Sequence, residues 1–105
     1  MAHGLLALLL ALSIPALASA ATLQVNSTQD PGSPGDGQCT LREALTNANS
    51  DADASQADCA AGEAGDRIDL TAVSGTILLS AELPRISGSL SIAGPGREAL
   101  ALDGA

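Results

Sequence analysis

From Ala21 onward the 105-residue chain holds sixteen Ile, Leu and Val and no Phe, Trp or Tyr, and 16 of 85 falls just under the roughly 20% expected of a chain that packs its own core. Twelve Asp and Glu against four Arg and no Lys give a net charge of −8, which excludes the clustered cations that nucleic acid and anionic membranes require. The one histidine is His3, so the chain after residue 20 holds no Ser-His-Asp group, Cys-His group or imidazole metal site, and no catalytic residue, metal or cofactor is assigned.

Residues 1–20 read as a secretion signal. Leu5 to Leu12 is a continuous apolar run, Pro15 breaks it, and Ala18-Ser19-Ala20 is the small-x-small pattern that a signal peptidase accepts. The run is shorter than the about twenty apolar residues of a membrane span, so the expectation is a cleaved signal, a secreted or cell-surface product, and no membrane span in the mature chain.

Residues 21–65 form a first unit. Leu23 and Val25 alternate with polar neighbours over Thr22–Asn26, the period of a half-buried strand. Three Gly and two Pro among the nine residues Gln29–Gly37 predict a loop. Thr40-Leu-Arg-Glu43 then has the form of a capping box, and Leu41, Ala44, Leu45 and Ala48 fall on one narrow apolar helical face. Cys39 precedes that helix and Cys59 follows the acidic segment 49–58; two cysteines in a secreted chain read as one disulfide, with free or intermolecular thiols and a metal site as competing readings. Asp51, Asp53, Ser55 and Asp58 supply oxygens for a calcium hypothesis, but an EF-hand starting at Asp51 would need Gly where Gln56 stands and Glu where Gly62 stands. A solvated acidic loop is the plainer reading.

Residues 66–105 carry twelve of the sixteen large aliphatics, mostly as i, i+2 pairs: Ile68 with Leu70, Ile77 with Leu79, Leu90 with Ile92, Leu100 with Leu102. The first and third pairs are 22 apart and the second and fourth 23 apart, with glycine-containing corners between. Short strands at that period predict the first one to two coils of a β-helix, an incomplete solenoid with an open edge. A small sandwich-like meander with coincidental spacing is the competing reading.

Cys39-Thr-Leu-Arg-Glu-Ala44 resembles the hexapeptide of the CSLREA-type N-terminal domain of secreted bacterial right-handed parallel β-helix proteins, departing only at Thr40, which keeps the N-cap hydroxyl. Val25–Thr28, Pro34–Gly37, Asn47–Asn49, Asp58-Cys59, Gly65–Ile68, Gly75–Ile77 and Ile92–Gly96 follow in an order similar to that family's, over essentially all of Thr22–Gly104. The resemblance implies a mainly β protein in which an N-terminal strand and a short capping α-helix lead into the first coils of a right-handed parallel β-helix, usually the start of a much longer chain. It implies no catalytic residues.

Three functions of different kind follow as expectations. The first is a non-enzymatic structural cap and start of an exported β-helix protein, a fragment of a longer chain whose partners are the remaining coils or another chain stacking on the open end. The second is a surface adhesion or partner-binding module that adds strands from another chain. The third is a polysaccharide lyase or glycosidase fragment, which would need carboxylates such as Asp66 and Asp69 across a cleft.

Overall fold

The computed structural model describes residues 20–104. The signal reading of residues 1–20 therefore lies outside the described residues except for Ala20. Strand β1 (Thr22–Gln24) is followed by helix α1 (Leu41–Ser50) and by strands β2 (Asp66–Asp69), β3 (Gly75–Leu78), β4 (Leu90–Ala93) and β5 (Leu100–Asp103). They form a three-stranded sheet in the order β1-β2-β4 and a two-stranded sheet of β3 and β5, and every pairing is parallel.

Helix α1 starts where the sequence supplies its cap. Thr40 is extended, its side chain accepts from the Glu43 N–H, and the Glu43 carboxylate accepts from the Thr40 N–H. Together these satisfy two of the amide donors that a helix start leaves open. At the other end Asp51 adopts the left-handed conformation that Asp tolerates better than most residues, and its N–H returns to the Asn47 carbonyl.

One core joins these elements. Leu23 and Val25 from the β1 segment, Leu41, Ala44 and Leu45 from α1, Ile68 and Leu70 from β2 and its end, Val73, Ile77 from β3, and the two cysteines are all buried in a single cluster. Ala48 packs against it partly buried. In the first sheet Leu23 stands beside Ile68, and Ile68 beside Ile92; in the second, Ile77 stands beside Leu102. Each fully buried aliphatic of this kind stabilises by about 1.5–3 kcal/mol.

The expected mainly β, incomplete right-handed β-helix is corrected by this arrangement. Among the described residues the protein is a small α/β unit of two separate parallel sheets and one helix, and the helix supplies part of the central core. The spacing that suggested coils also differs from the register: Ile68 pairs with Ile92, 24 residues on, and Ile77 with Leu102, 25 residues on. An i, i+2 aliphatic pair keeps the same face when it slides by two residues, so alternation alone left the register open by that amount. A sandwich-like meander does not describe the structure either, because its strands would pair antiparallel.

Cys39 and Cys59 form a disulfide, with a Cα–Cα distance of 4.9 Å and twenty residues between them in sequence. Gly62 lies hard against the helix end: a Cβ there would stand 2.0 Å from the Asn47 carbonyl oxygen. Two substitutions and one treatment test this packing. Ile68→Ala should cost about 2–5 kcal/mol by leaving a cavity, and Gly62→Ala should destabilise although alanine suits most backbones. Reduction of the disulfide should cost about 3 kcal/mol, read as a lower midpoint of denaturant unfolding.

Candidate functional site

Two features remain once the core is accounted for: the carboxylates gathered around the start of α1, and the outer edges of β4 and β5. The first is built by the disulfide. Because Cys59 is held against Cys39, its neighbour Asp58 faces the loop that precedes the helix. Asp58 Oδ2 accepts from the N–H groups of Gly35 (2.7 Å) and Asp36 (3.1 Å), and Oδ1 from that of Gly37 (2.7 Å). Burial works against the Asp58 charge, yet these three amides hold its carboxyl below the usual range. Carboxylate oxygens of Asp36, Glu43 and Asp58 lie within 4.8 Å of one another. Beside them is a cavity of about 230 Å³ lined by Pro31, Gly32, Pro34, Arg42, Glu43 and Ala54, among others. That volume is below the 300–1,000 Å³ common for small-molecule sites.

A second carboxylate locks the helix to the rest of the chain. Arg42 donates to Asp30 from Nε (2.7 Å to Oδ1) and from an Nη (2.9 Å to Oδ2), a two-pronged ion pair whose Asp30 side chain is buried. Ser80 adds its N–H and Oγ to Asp30 Oδ2, while Arg42 also donates to the carbonyls of Ala81 and Glu82. The Arg42 hydrogen bonds, with the Ser80 bonds, pull the Asp30 pKa from 3.8 to about 2 against the effect of burial. Asn49, two turns along the helix, accepts from the Ser87 N–H and donates to the Arg85 carbonyl. Segment 80–87 is thus held on α1 by polar contacts from two helical side chains.

The acidic segment proposed for calcium is organised by its own hydrogen bonds. Asn47, fully buried, donates to Asp53, Ser55 and the Ala60 carbonyl and accepts from the Ala54 N–H. Asp53 accepts in addition from the Ser55 hydroxyl, the Ser55 N–H and the Ala57 N–H, and the Ser55 bonds chiefly account for its pKa falling from 3.8 to about 2. Asp66 is buried and accepts from the Ala21 and Glu63 N–H groups, and Asp69 accepts from Gln24 and Thr71. Each carboxylate of that pair is thus engaged by donors of its own segment and by one from the β1 segment, 45 residues earlier.

The second feature is an asymmetry between strand edges. Leu23 is fully buried and Val25 is 1% exposed, whereas Ile92 is 48% and Leu102 50% exposed. Among the described residues β1 and β4 are the two outer strands of the first sheet, and β3 and β5 pair with each other in the second, so the asymmetry lies in the burial of the aliphatics and not in the ladders. Leu70, Leu100 and Leu102 line an open hollow there with the Gly94-Pro95-Gly96 corner.

The residues named from sequence are placed as follows. Cys39 and Cys59 are bonded and buried, Thr40 and Glu43 cap the helix, and Leu41, Ala44, Leu45 and Ala48 turn toward the core. Sequence reasoning missed the Asp30–Arg42–Ser80 lock, whose members lie 12 and 38 residues apart, and the Asp58 contacts to the loop amides. Arg42, the one cation in the helix, was the signal that could have prompted a search for its partner. Among the described residues no helix is long and apolar enough to cross a membrane. Comparison of the chain with protein-family models, with curated proteins and with solved structures finds no match.

The lock makes an acid prediction. Folding holds the Asp30 and Asp53 pKa values down, so their stabilisation is complete above the ordinary carboxylate range and is lost as the pH falls toward about 2. Asp30→Asn should cost about 2–3 kcal/mol near neutral pH and weaken the acid dependence of the denaturant midpoint. Arg42→Lys should retain only part of the stability, because an ammonium cannot supply the two-pronged contact.

Proposed function

We propose that this chain is a non-enzymatic structural module of an exported protein, a cap and starting piece on which further strands assemble. The observation that carries this reading is the asymmetry of the strands. The aliphatics of the β1 segment, Leu23 and Val25, are buried in the core they share with α1 and the two cysteines, while β4 and β5 carry the half-exposed Ile92 and Leu102. An open edge with exposed aliphatics is a template for strand addition unless something covers it.

The charge distribution supports the same direction. Of the net −8, residues 1–79 carry nine acidic side chains against two Arg, or −7, and residues 80–105 carry three against two, or −1. Repulsion toward other chains is therefore concentrated on the capped part and is weak beside the open edges. The resemblance of Cys39–Ala44 to CSLREA-type segments agrees with a starting module, and the disulfide agrees with an oxidising, extracellular setting reached through the signal at residues 1–20.

Sedimentation of the disulfide-bonded product over a wide concentration range tests the proposal. Association that grows with concentration and is abolished by Ile92→Asp with Leu102→Asp, at a thermal midpoint within a few degrees of the parent, is the expected result. A protein that stays monomeric throughout, with β4 and β5 outer amides slow to exchange, would overturn it. Leu45→Asp should behave differently, unfolding the cap itself by burying an unpaired charge.

A further inference from the structure

Glu43 presents a buried oxygen with nothing to bond. Its Oε1 completes the capping box by accepting from the Thr40 N–H (3.1 Å) and lies 3.4 Å from Thr40 Oγ1, but Oε2 is shut off from solvent and has no hydrogen-bond partner. A buried carboxylate oxygen in that state carries the full cost of its lost hydration.

The groups facing it are acidic. Asp36 comes from the loop before the helix and Asp58 from the segment before Cys59, each with an oxygen within 4.8 Å of the Glu43 carboxylate. Arg42, which lines the same cavity, has its guanidinium taken by Asp30 and by the Ala81 and Glu82 carbonyls. No cation therefore reaches Glu43 from its own helix. Asp58 is fixed beside it by the amides of Gly35, Asp36 and Gly37, which donate to both of its oxygens.

We propose that Glu43 carries a proton beside the Asp36–Asp58 carboxylate pair, latching the 33–37 loop to the start of α1 in mildly acidic solution and loosening it as the pH rises. With the proton in place, Glu43 is neutral, its buried oxygen no longer carries an unpaired charge and the cluster holds two charges. Once the proton leaves to solvent, three carboxylates crowd the same space. The loop is the element that can yield, since it is tied there chiefly through amides donating to Asp58.

The direction of Glu43 titration agrees with this geometry. Burial raises its pKa above 4.5 against the Thr40 N–H bond, and the charges of Asp58 and Asp36 raise it further. A group whose folded pKa is raised contributes stability below its unfolded value and loses that contribution as the pH climbs through the folded one.

Amide exchange of Gly35, Asp36 and Gly37, corrected for intrinsic rates and followed from about pH 4 to about pH 8 in buffer with EDTA, tests the latch. The expected result is protection that falls about tenfold for each pH unit by which Glu43 titrates higher in the latched than in the loosened state. Glu43→Gln keeps an oxygen for Thr40 and carries a permanent N–H donor, so its protection should stay flat. Asp36→Asn, which can still accept from the Gln38 N–H, should move the midpoint to lower pH by removing one of the facing charges. Protection in the parent that ignores pH, the same fall in Glu43→Gln, or an unmoved midpoint in Asp36→Asn would each overturn the proposal.

Discussion

The bond between Cys39 and Cys59 sets the positions on which the rest of the first unit depends. Cys39 is directly followed by the N-cap Thr40, and Cys59 is directly preceded by Asp58, so the covalent link brings a helix start and an amide-collecting carboxylate together. From the helix start follow the capping box, the inward turn of Leu41, Ala44 and Leu45, and the outward reach of Arg42 to Asp30. From Asp58 follows the shape of the 33–37 loop. Without the link, ordering the polar segment 49–58 would have to be offset by hydrogen bonds alone, which net only about 1 kcal/mol each.

An acidic chain with few large side chains thereby uses its charge as structure. Asp30, Asp53, Asp58 and Asp66 each accept several hydrogen bonds from backbone amides or fixed side chains, where a larger domain would use buried aliphatics. Carboxylates are suited to this because an ionised acceptor binds an N–H more strongly than a neutral one. Asp30 shows the longest reach, joining the N-terminal loop, α1 and the segment after β3 through Arg42 and Ser80. The arrangement also explains why the helix has a polar face that is far from idle: Arg42 and Asn49 on that face hold 80–87, while its apolar face packs on the sheets.

How much of this was legible in the sequence depended on range. The helix, its cap and its apolar face were readable because capping and i, i+3, i+4 contacts are local, and strands at Leu23, Ile68, Ile77, Leu90 and Leu100 were readable from alternation. The architecture was not. Alternation tells which side chains share a face, but Ile68 next to Leu90 and Ile68 next to Ile92 satisfy it equally, and only the backbone ladder chooses the second. The Asp30–Arg42–Ser80 lock was invisible for a different reason: Asp30 sits in a Pro- and Gly-rich stretch whose composition predicts a loop and says nothing of which side chain that loop turns inward. The Asp58 cradle likewise depends on loop geometry that the disulfide imposes.

Two kinds of carboxylate in one small unit pull its pH dependence in opposite senses. Asp30, Asp53 and Asp58 are held below their ordinary range by donors aimed at them, so acid removes what they contribute. Glu43 is raised by burial and by its acidic neighbours, so base removes what it contributes. The physical distinction is the supply of donors: Asp58 has three amides, whereas Glu43 Oε2 has none, and the nearest charges repel it. Stability shared between such groups is greatest in the interval between the two titrations, where the aspartates are ionised and the glutamate is not. The capped end would then be most rigid in mildly acidic surroundings.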